Sequence, residues 1–270
     1  MIRSMNELKD REIGATDGNI GKVSDIYFDD HAWVMRYLIV DTGTWLQSRK
    51  VLISPISFKH ETMATHSLHL SLSKEQVEDS PSIDTDKPIS RQNETAYLSY
   101  YGYPDYWGGV GIWSGSMYPY GVLPGNGGQR ENRADREQAE SVYRRSERAR
   151  HQHDDPHLRS SQEVIGYHIH AKDGDIGHVE DVLIDDETWA IRYLVLNTSN
   201  WWMGHKVLIT PQWITDISWS DRKVSIDLTR ESIQYAPHFD SSIELSRQHE
   251  AALFEHYGRQ GYWAGAHPYG

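Results

Sequence analysis

The sequence contains no cysteine and no apolar run long enough to cross a bilayer. The absence of cysteine excludes disulfides, thiolate metal sites and cysteine nucleophiles. A membrane-spanning helix needs about 18 or more apolar residues, and the opening MIRSMNELKD lacks the apolar core of a signal peptide. We therefore expect a cytoplasmic protein.

Basic residues are few relative to acidic ones, because 27 Lys and Arg stand against 39 Asp and Glu and leave a net charge of −12. Sequence-independent nucleic-acid binding takes most of its energy from Lys and Arg at phosphates, so we expect no direct contact with nucleic acid. The sequence also lacks a Gly-rich phosphate loop, a Ser-His-Asp order and a spaced carboxylate pair. These absences predict a protein that is not an enzyme and has no cofactor.

The sequence does contain one long stretch that occurs twice. DGNIGKVSDIYFDD begins at Asp17 and DGDIGHVEDVLIDD begins at Asp173, 156 positions later. The match continues without a gap from about residue 8 to 109 against about 164 to 265, which indicates duplication of a whole domain. Between the copies, a segment rich in Gly, Pro and aromatics is followed by a highly charged one, which together predict a linker. The predicted domains are 1–109 and 157–270, joined by a flexible linker at 110–156.

Within each copy the pattern favours strands, with a helix last. The Asp-Gly pairs ending at Gly18 and Gly174 are typical of tight turns, and apolar and polar residues alternate beyond them. WVMRYLIVDT and WAIRYLVLNT are apolar on both faces, which predicts a central strand. Ser90 and Ser246 are suited to cap the final helix. The predicted fold is mainly β, with two tandem small β-barrels, each followed by a short helix and an aromatic tail.

Both copies resemble the PRC-barrel family. The resemblance rests on DGNIGKVSDIYFDD or DGDIGHVEDVLIDD, followed by RYLIV or RYLVL and then by KVLI. The resemblance covers Leu8 to about Leu72 and Val164 to about Leu228. This family includes the cytoplasmic domain of the photosynthetic reaction centre H subunit and the C-terminal domain of a bacterial ribosome-maturation factor. The ending SRQNETA or SRQHEAA is similar to the tail of stand-alone bacterial proteins with two such barrels.

The resemblance implies a docking protein of unknown partner, with a stress-related role as one expectation. One alternative is an H-subunit-like role in electron transfer, which implies peripheral association with a membrane. Another alternative is binding to a ribosomal protein. Two barrels in one chain favour either a pseudo-dimer within the chain or a bivalent binder, and a homo-oligomer is a further alternative.

Repeated aromatic residues are the candidate partner-binding set. Aromatic side chains offer contact area at low entropic cost and are enriched at binding hot spots. The competing interpretation is that the Tyr-Trp tails cover the open end of their own or the neighbouring barrel. The candidates are Trp45, Trp201, Trp202, Tyr106, Trp107, Tyr262 and Trp263.

A second repeated set is assigned a structural role. Gly18, Gly21, Gly174 and Gly177 are assigned to turns. Arg36 and Arg192 stand in otherwise apolar strands, and we predict that they pair with Asp25 and Asp181.

Three groups of residues have the composition of metal sites, but none is favoured as one. The repeated aspartates offer the hard oxygen ligands that cations prefer. An Asp-Asp pair between two strands is, however, more typical of a turn. HQHDDPH at 151–157 is too closely spaced to close a tetrahedral site and occurs once. His168 and His170 are replaced by Glu12 and Gly14 in the first copy. The acidic positions are Asp25, Asp29, Asp30, Asp181, Asp185 and Asp186.

Overall fold

The computed structural model describes residues 1–46, 49–59, 67–81, 89, 91–107, 112–113, 116–121, 158–198 and 205–264. The chain divides into two compact units. The first unit comprises Lys9–Ser160 and Glu187–Trp189, and the second comprises Met1–Leu8, Ser161–Asp186 and Ala190–Gly270. Each unit thus contains one copy of the repeat and a segment from outside it. The predicted boundaries differ, since they group residues 1–8 with the first copy and 158–160 with the second.

Strands dominate the described residues, as a mainly β fold requires. The strands are β1 (Ile2–Ser4), β2 (Glu12–Ala15), β3 (Gly18–Asp29), β4 (Val34–Asp41), β5 (Lys50–Ile53), β6 (Ser67–His69), β7 (Leu158–Ser160), β8 (His168–Ala171), β9 (Gly174–Asp185), β10 (Ile191–Asn197), β11 (Lys206–Ile209), β12 (Ile214–Ser218) and β13 (Lys223–Ile226). The helices are α1 (Lys74–Glu78), α2 (Arg91–Tyr101), α3 (Ser161–Val164), α4 (Arg230–Gln234) and α5 (Arg247–His256). The mainly β prediction is confirmed.

Each unit is built on one sheet. In the first unit the strand order is β5-β4-β3-β2-β6, and β7 pairs with β3 beside this path. In the second unit the order is β11-β10-β9-β8-β13-β12, and β1 pairs with β9. The predicted central strand is β4 in the first unit, where every residue except Asp41 is buried. Equivalent strands therefore occupy equivalent places in the two sheets.

The sheet of the second unit curls. Its outer strands β11 and β12 are separated along the chain by only a short turn at Pro211–Trp213. Six flat neighbouring strands would set the outer two about 24 Å apart. The chain from Ile209 to Ile214 spans at most about 17 Å, so the sheet must bend toward itself. Among the described strands no ladder joins β11 to β12, so a closed barrel stays a prediction.

The final helix of the second unit follows the expected capping chemistry. Ser246 precedes α5, and its hydroxyl accepts a hydrogen bond from the backbone N–H of His249 at 3.3 Å. This contact satisfies one of the amide groups that a helix start leaves without a partner. The predicted final helix of each copy is α2, which ends at Tyr101, and α5, which ends at His256. Ser90, the other predicted cap, and most of the predicted linker at 110–156 lie outside the described residues.

Two glycines are required by the close approach of neighbouring strands. Gly21 and Gly177 have φ values of +145° and +144°, a region that residues with a side chain rarely adopt. A Cβ atom added at Gly21 would lie 2.0 Å from the carbonyl oxygen of Asp41, and one at Gly177 would lie 2.1 Å from that of Asn197. These glycines allow the start of the long strand to pass against the end of the strand that follows it.

Candidate interaction site

A buried glutamate joins the helix, the sheet and the aromatic tail of the first unit. Glu94 on α2 is completely buried. Its Oε1 accepts hydrogen bonds from the hydroxyls of Tyr37, at 3.1 Å, and Tyr106, at 2.6 Å. Burial and the neighbouring carboxylate raise the pKa of Tyr37 well above its usual value. The tail tyrosine is thereby bound to the core of its own unit.

The second unit contains the same arrangement. Oε1 of Glu250, which is 2% exposed, accepts from the hydroxyls of Tyr193, at 2.7 Å, and Tyr262, at 2.8 Å. Its other carboxylate oxygen forms an ion pair with Arg247 at 2.9 Å. Burial and the bond to Glu250 raise the pKa of Tyr262 to about 12. Burial and the same carboxylate also raise the pKa of Tyr193, so both tyrosines remain neutral hydrogen-bond donors at physiological pH.

The strand arginines pack against these tail tyrosines. The guanidinium carbon of Arg36 lies 3.8 Å from the ring centre of Tyr106, and that of Arg192 lies 4.1 Å from the ring centre of Tyr262. Such stacking of a cation on a ring is stabilising, more so when it is shielded from water. Arginine and glutamate thus hold the tail tyrosine from two sides in each unit.

The predicted partners of these arginines are wrong. Arg36 pairs with Asp29 at 3.6 Å, and Arg192 pairs with Asp185 at 3.1 Å, instead of with Asp25 and Asp181. The register of the sheet explains the difference. Asp29 faces Val34, close to Arg36, whereas Asp25 faces Ile39, three residues farther along β4. The aspartate at the strand end is therefore the one within reach.

Asp25 and Asp30 instead hold a strand from outside the first copy. β7 pairs antiparallel with the end of β3, with Phe28 opposite Arg159. Nε of Arg159 donates to Oδ2 of Asp30 at 2.9 Å, and the hydroxyl of Ser160 donates to Oδ2 of Asp25 at 2.6 Å. Backbone pairing positions the strand, while the two carboxylates bind its arginine and its serine.

The second unit binds β1 in the same way. β1 pairs antiparallel with the end of β9, with Ile184 opposite Arg3. Nε of Arg3 donates to Oδ2 of Asp186 at 2.8 Å, and the hydroxyl of Ser4 donates to Oδ2 of Asp181. Burial raises the pKa of the Asp181 carboxyl, an effect that the serine opposes. We call each such pair of aspartates, with the adjoining strand end, an acceptor groove.

One comparison identifies the architecture of the first copy. Residues 3–62 match the PRC-barrel domain. The chain carries a PRC-barrel domain. No curated protein shows significant similarity to the chain. Within the described residues, no helix is both long and apolar enough to cross a membrane.

The extent of the PRC-barrel match bears directly on the docked strands. The match begins at residue 3, inside β1, although β1 lies in the second unit and most of the matched segment lies in the first. One continuous PRC-barrel segment of sequence is therefore divided between two units. The second copy is divided likewise, because β7 lies in the first unit.

The sequence signal for the docked strands lies upstream of the repeat boundaries predicted above. The constant offset of 156 continues upstream of residue 8, so that Ile2, Arg3 and Ser4 correspond to Leu158, Arg159 and Ser160. A three-residue strand is too short to show periodicity, and only the repeated Arg-Ser pair distinguishes it. Each buried glutamate, with the two tyrosines that donate to it, forms what we call a glutamate cluster. The equal spacing of Glu94 to Tyr106 and of Glu250 to Tyr262 is the sequence signal for these two clusters.

The aromatic candidates lie in different environments. Tyr106 is buried and Tyr262 is half-buried, and both belong to the glutamate clusters. Trp107 and Trp263 are half-buried beside them, and Trp45 donates its indole N–H to the carbonyl of Ile20 at 2.7 Å. Trp201 and Trp202 lie outside the described residues.

The metal candidates have no described cluster to support them. In the part of the chain that the structure describes, no group of three His, Asp or Glu side chains could hold a metal ion. Asp29 accepts from the backbone N–H groups of His31 and Ala32, both at 3.0 Å, as expected of a turn aspartate. His170 bonds Asp175 at 2.6 Å, and HQHDDPH lies outside the described residues.

Proposed function

We propose that the chain is a non-catalytic protein-interaction module in which each sheet docks an extended protein segment. One observation carries the proposal: each sheet binds a three-residue strand that comes from outside its own copy of the repeat. Adding a strand to a sheet is a general mode of peptide recognition, in which the backbone supplies affinity and side-chain contacts supply specificity. The segment best suited to these grooves is an apolar residue followed by arginine and serine.

The buried carboxylates support a non-catalytic role. Glu94 and Glu250 are enclosed in the core and already accept two tyrosine hydroxyls each, so a substrate could not reach them without unfolding part of the unit. In this proposal the second copy is a PRC-type barrel as well, since it repeats the sequence and the strand order of the first. Trp107 and Trp263 remain candidates for a wider partner surface.

The test uses the full chain and a labelled peptide with the sequence IRSMNEL, which corresponds to Ile2–Leu8. Ile2→Asp combined with Arg3→Glu places two acidic side chains opposite Asp185 and beside Asp186 and should release the resident strand. We expect this variant to bind the peptide saturably in fluorescence polarisation. Adding Asp186→Arg should weaken binding at least about tenfold, since about 1.4 kcal/mol corresponds to a factor of ten.

Amide exchange at Ile184 and at position 186, whose N–H groups lie on the β1 side of β9, makes either result decisive. The N–H of Asp185 donates to the carbonyl of Ala190 and does not report on β1. Exposed amides without peptide binding would show that an open groove does not dock a strand. Amides that stay protected after both changes would show that these contacts do not hold β1 in place. Each of these results contradicts the proposal. A peptide carrying Glu in place of Arg should prefer the chain with Asp186→Arg, which provides the matched control.

A further inference from the structure

The acceptor grooves point to a specific partner, and this inference rests on the proposed strand-docking function. We propose that the groove of the second unit also binds β1 of a second copy of this chain, so that two chains exchange these strands and form a dimer. The partner is thus identified by the segment that the groove already recognises, in the same register and with the same ion pair.

The two grooves share the same arginine and serine contacts, which shows that these contacts can be made by segments with different connections. Arg3 on Asp186 and Arg159 on Asp30 have N–O distances of 2.8 and 2.9 Å. In both ion pairs the side chains are at most 18% exposed. Neither ion pair depends on which polypeptide carries the strand. In the second unit the α-amino group of Met1 adds a bond to Oδ1 of Asp186 at 2.6 Å, and a second copy would present the same group.

The attachment of β1 is short enough to open without unfolding the unit. Its ladder joins three residues to Leu183–Asp185. Two further backbone bonds flank it, from the N–H of Met5 to the carbonyl of Val182 at 2.8 Å and from the N–H of Asp186 to the carbonyl of Met1 at 3.0 Å, and the α-amino group of Met1 donates to Oδ1 of Asp186 at 2.6 Å. Segments held by few backbone bonds open at a small fraction of the global unfolding free energy. β9 keeps its pairing with β10 when β1 leaves, so the groove remains formed.

The closed chain and the exchanged dimer contain the same β1 contacts. Exchange of an identical element between copies is therefore a low-cost route to dimers, governed mainly by chain concentration and by the segment that links the element to the rest. The residues after β1 pass into the first unit at Lys9. β1 thus belongs to the second unit, whereas the residues that follow it belong to the first. A second copy can therefore present its β1 to the same groove without a new type of contact.

Two charge-reversed full-length chains test this inference. One carries Arg3→Glu and the other carries Asp186→Arg. Alone, each chain places like charges in its groove, both within the chain and between its own copies. Mixed, the introduced glutamate of the first faces the introduced arginine of the second, and the unaltered Arg3 of the second faces the unaltered Asp186 of the first. We expect the mixture to form a one-to-one dimer in sedimentation velocity, with a much smaller dimer fraction in either chain alone.

A second measurement covers the case in which a variant fails to fold. Wild-type chains labelled with donor and acceptor dyes, mixed in urea and refolded, should show energy transfer that increases with chain concentration. Arg3→Glu or Asp186→Arg in all copies should abolish that transfer. A monomer at every concentration would overturn the inference. A dimer that persists when Arg3 is reversed in every copy would do so as well, because it would use another surface.

The peptide experiment separates the two failures. If IRSMNEL binds the released groove but the mixed chains stay monomeric, strand docking stands and the second copy is not the partner. If the peptide does not bind, the proposed function fails as well.

Discussion

Gly177→Ala is expected to destabilise the second unit severely. The new methyl group would lie 2.1 Å from the carbonyl oxygen of Asn197 and 3.0 Å from its carbonyl carbon. Both atoms belong to the backbone of β10, so no side-chain rotation relieves the clash. The φ of +144° adds further strain for alanine. We expect a loss of at least about 4 kcal/mol, which is a large share of the stability of an ordinary domain.

Gly258→Ala is the matched control in the same unit. Gly258 has a φ of +62°, but an added Cβ would meet nothing within 4 Å. Only the left-handed backbone is then penalised, by about 1–2 kcal/mol. Urea unfolding of both variants and the wild type, monitored by circular dichroism, gives the comparison. Equal losses in the two variants would contradict the close strand approach. Gly21→Ala tests the equivalent contact in the first unit.

Glu250→Leu should destabilise the second unit by about 3–4 kcal/mol. The change leaves the hydroxyls of Tyr193 and Tyr262 without their buried acceptor and removes the carboxylate partner of Arg247, which keeps its bond to the hydroxyl of Tyr262. A buried donor left unsatisfied costs about 1–3 kcal/mol. Glu250→Gln retains one acceptor oxygen and should cost less than half as much. Urea unfolding again measures the difference.

A triple variant distinguishes the loss of hydrogen bonds from the loss of shape. Glu250→Leu combined with Tyr193→Phe and Tyr262→Phe removes the donors together with the acceptor. Replacing every member of a buried polar group with apolar residues is often nearly neutral. We expect the triple variant to be more stable than Glu250→Leu alone. A triple variant that is less stable than the single change would show that the tyrosine hydroxyls do not depend on Glu250.

Much of the fold of each copy is accessible from the sequence because its signals are local. The Asp-Gly turns, the apolar central strand and the serine cap each depend on residues within a few positions of one another. The glutamate cluster is harder to predict. Glu94 stands in the polar stretch RQNE and has the composition of a surface residue, although the structure buries it completely. Its burial depends on Tyr37 and Tyr106, which lie 57 and 12 positions away.

The placement of the docked strands could not follow from pattern alone. Both copies supply the same Arg-Ser strand and the same pair of aspartates, so residue chemistry does not distinguish binding within a copy from binding across copies. Asp25 and Asp181 illustrate the consequence. Arg36 and Arg192 are basic residues of the same copies, and their place in apolar strands favours a carboxylate partner nearby. Serines outside those copies contact these two aspartates instead.

The central claim is that each sheet is completed by a strand from outside its own copy, and double-mutant cycles test it most directly. Arg3→Ala and Asp186→Asn are measured singly and together by urea unfolding of the full chain, beside a second cycle of Arg3→Ala with Asp30→Asn. We predict a coupling of about 1–2 kcal/mol between Arg3 and Asp186 and additive effects for Arg3 and Asp30. Coupling of Arg3 to Asp30, with additivity toward Asp186, would contradict the exchanged arrangement.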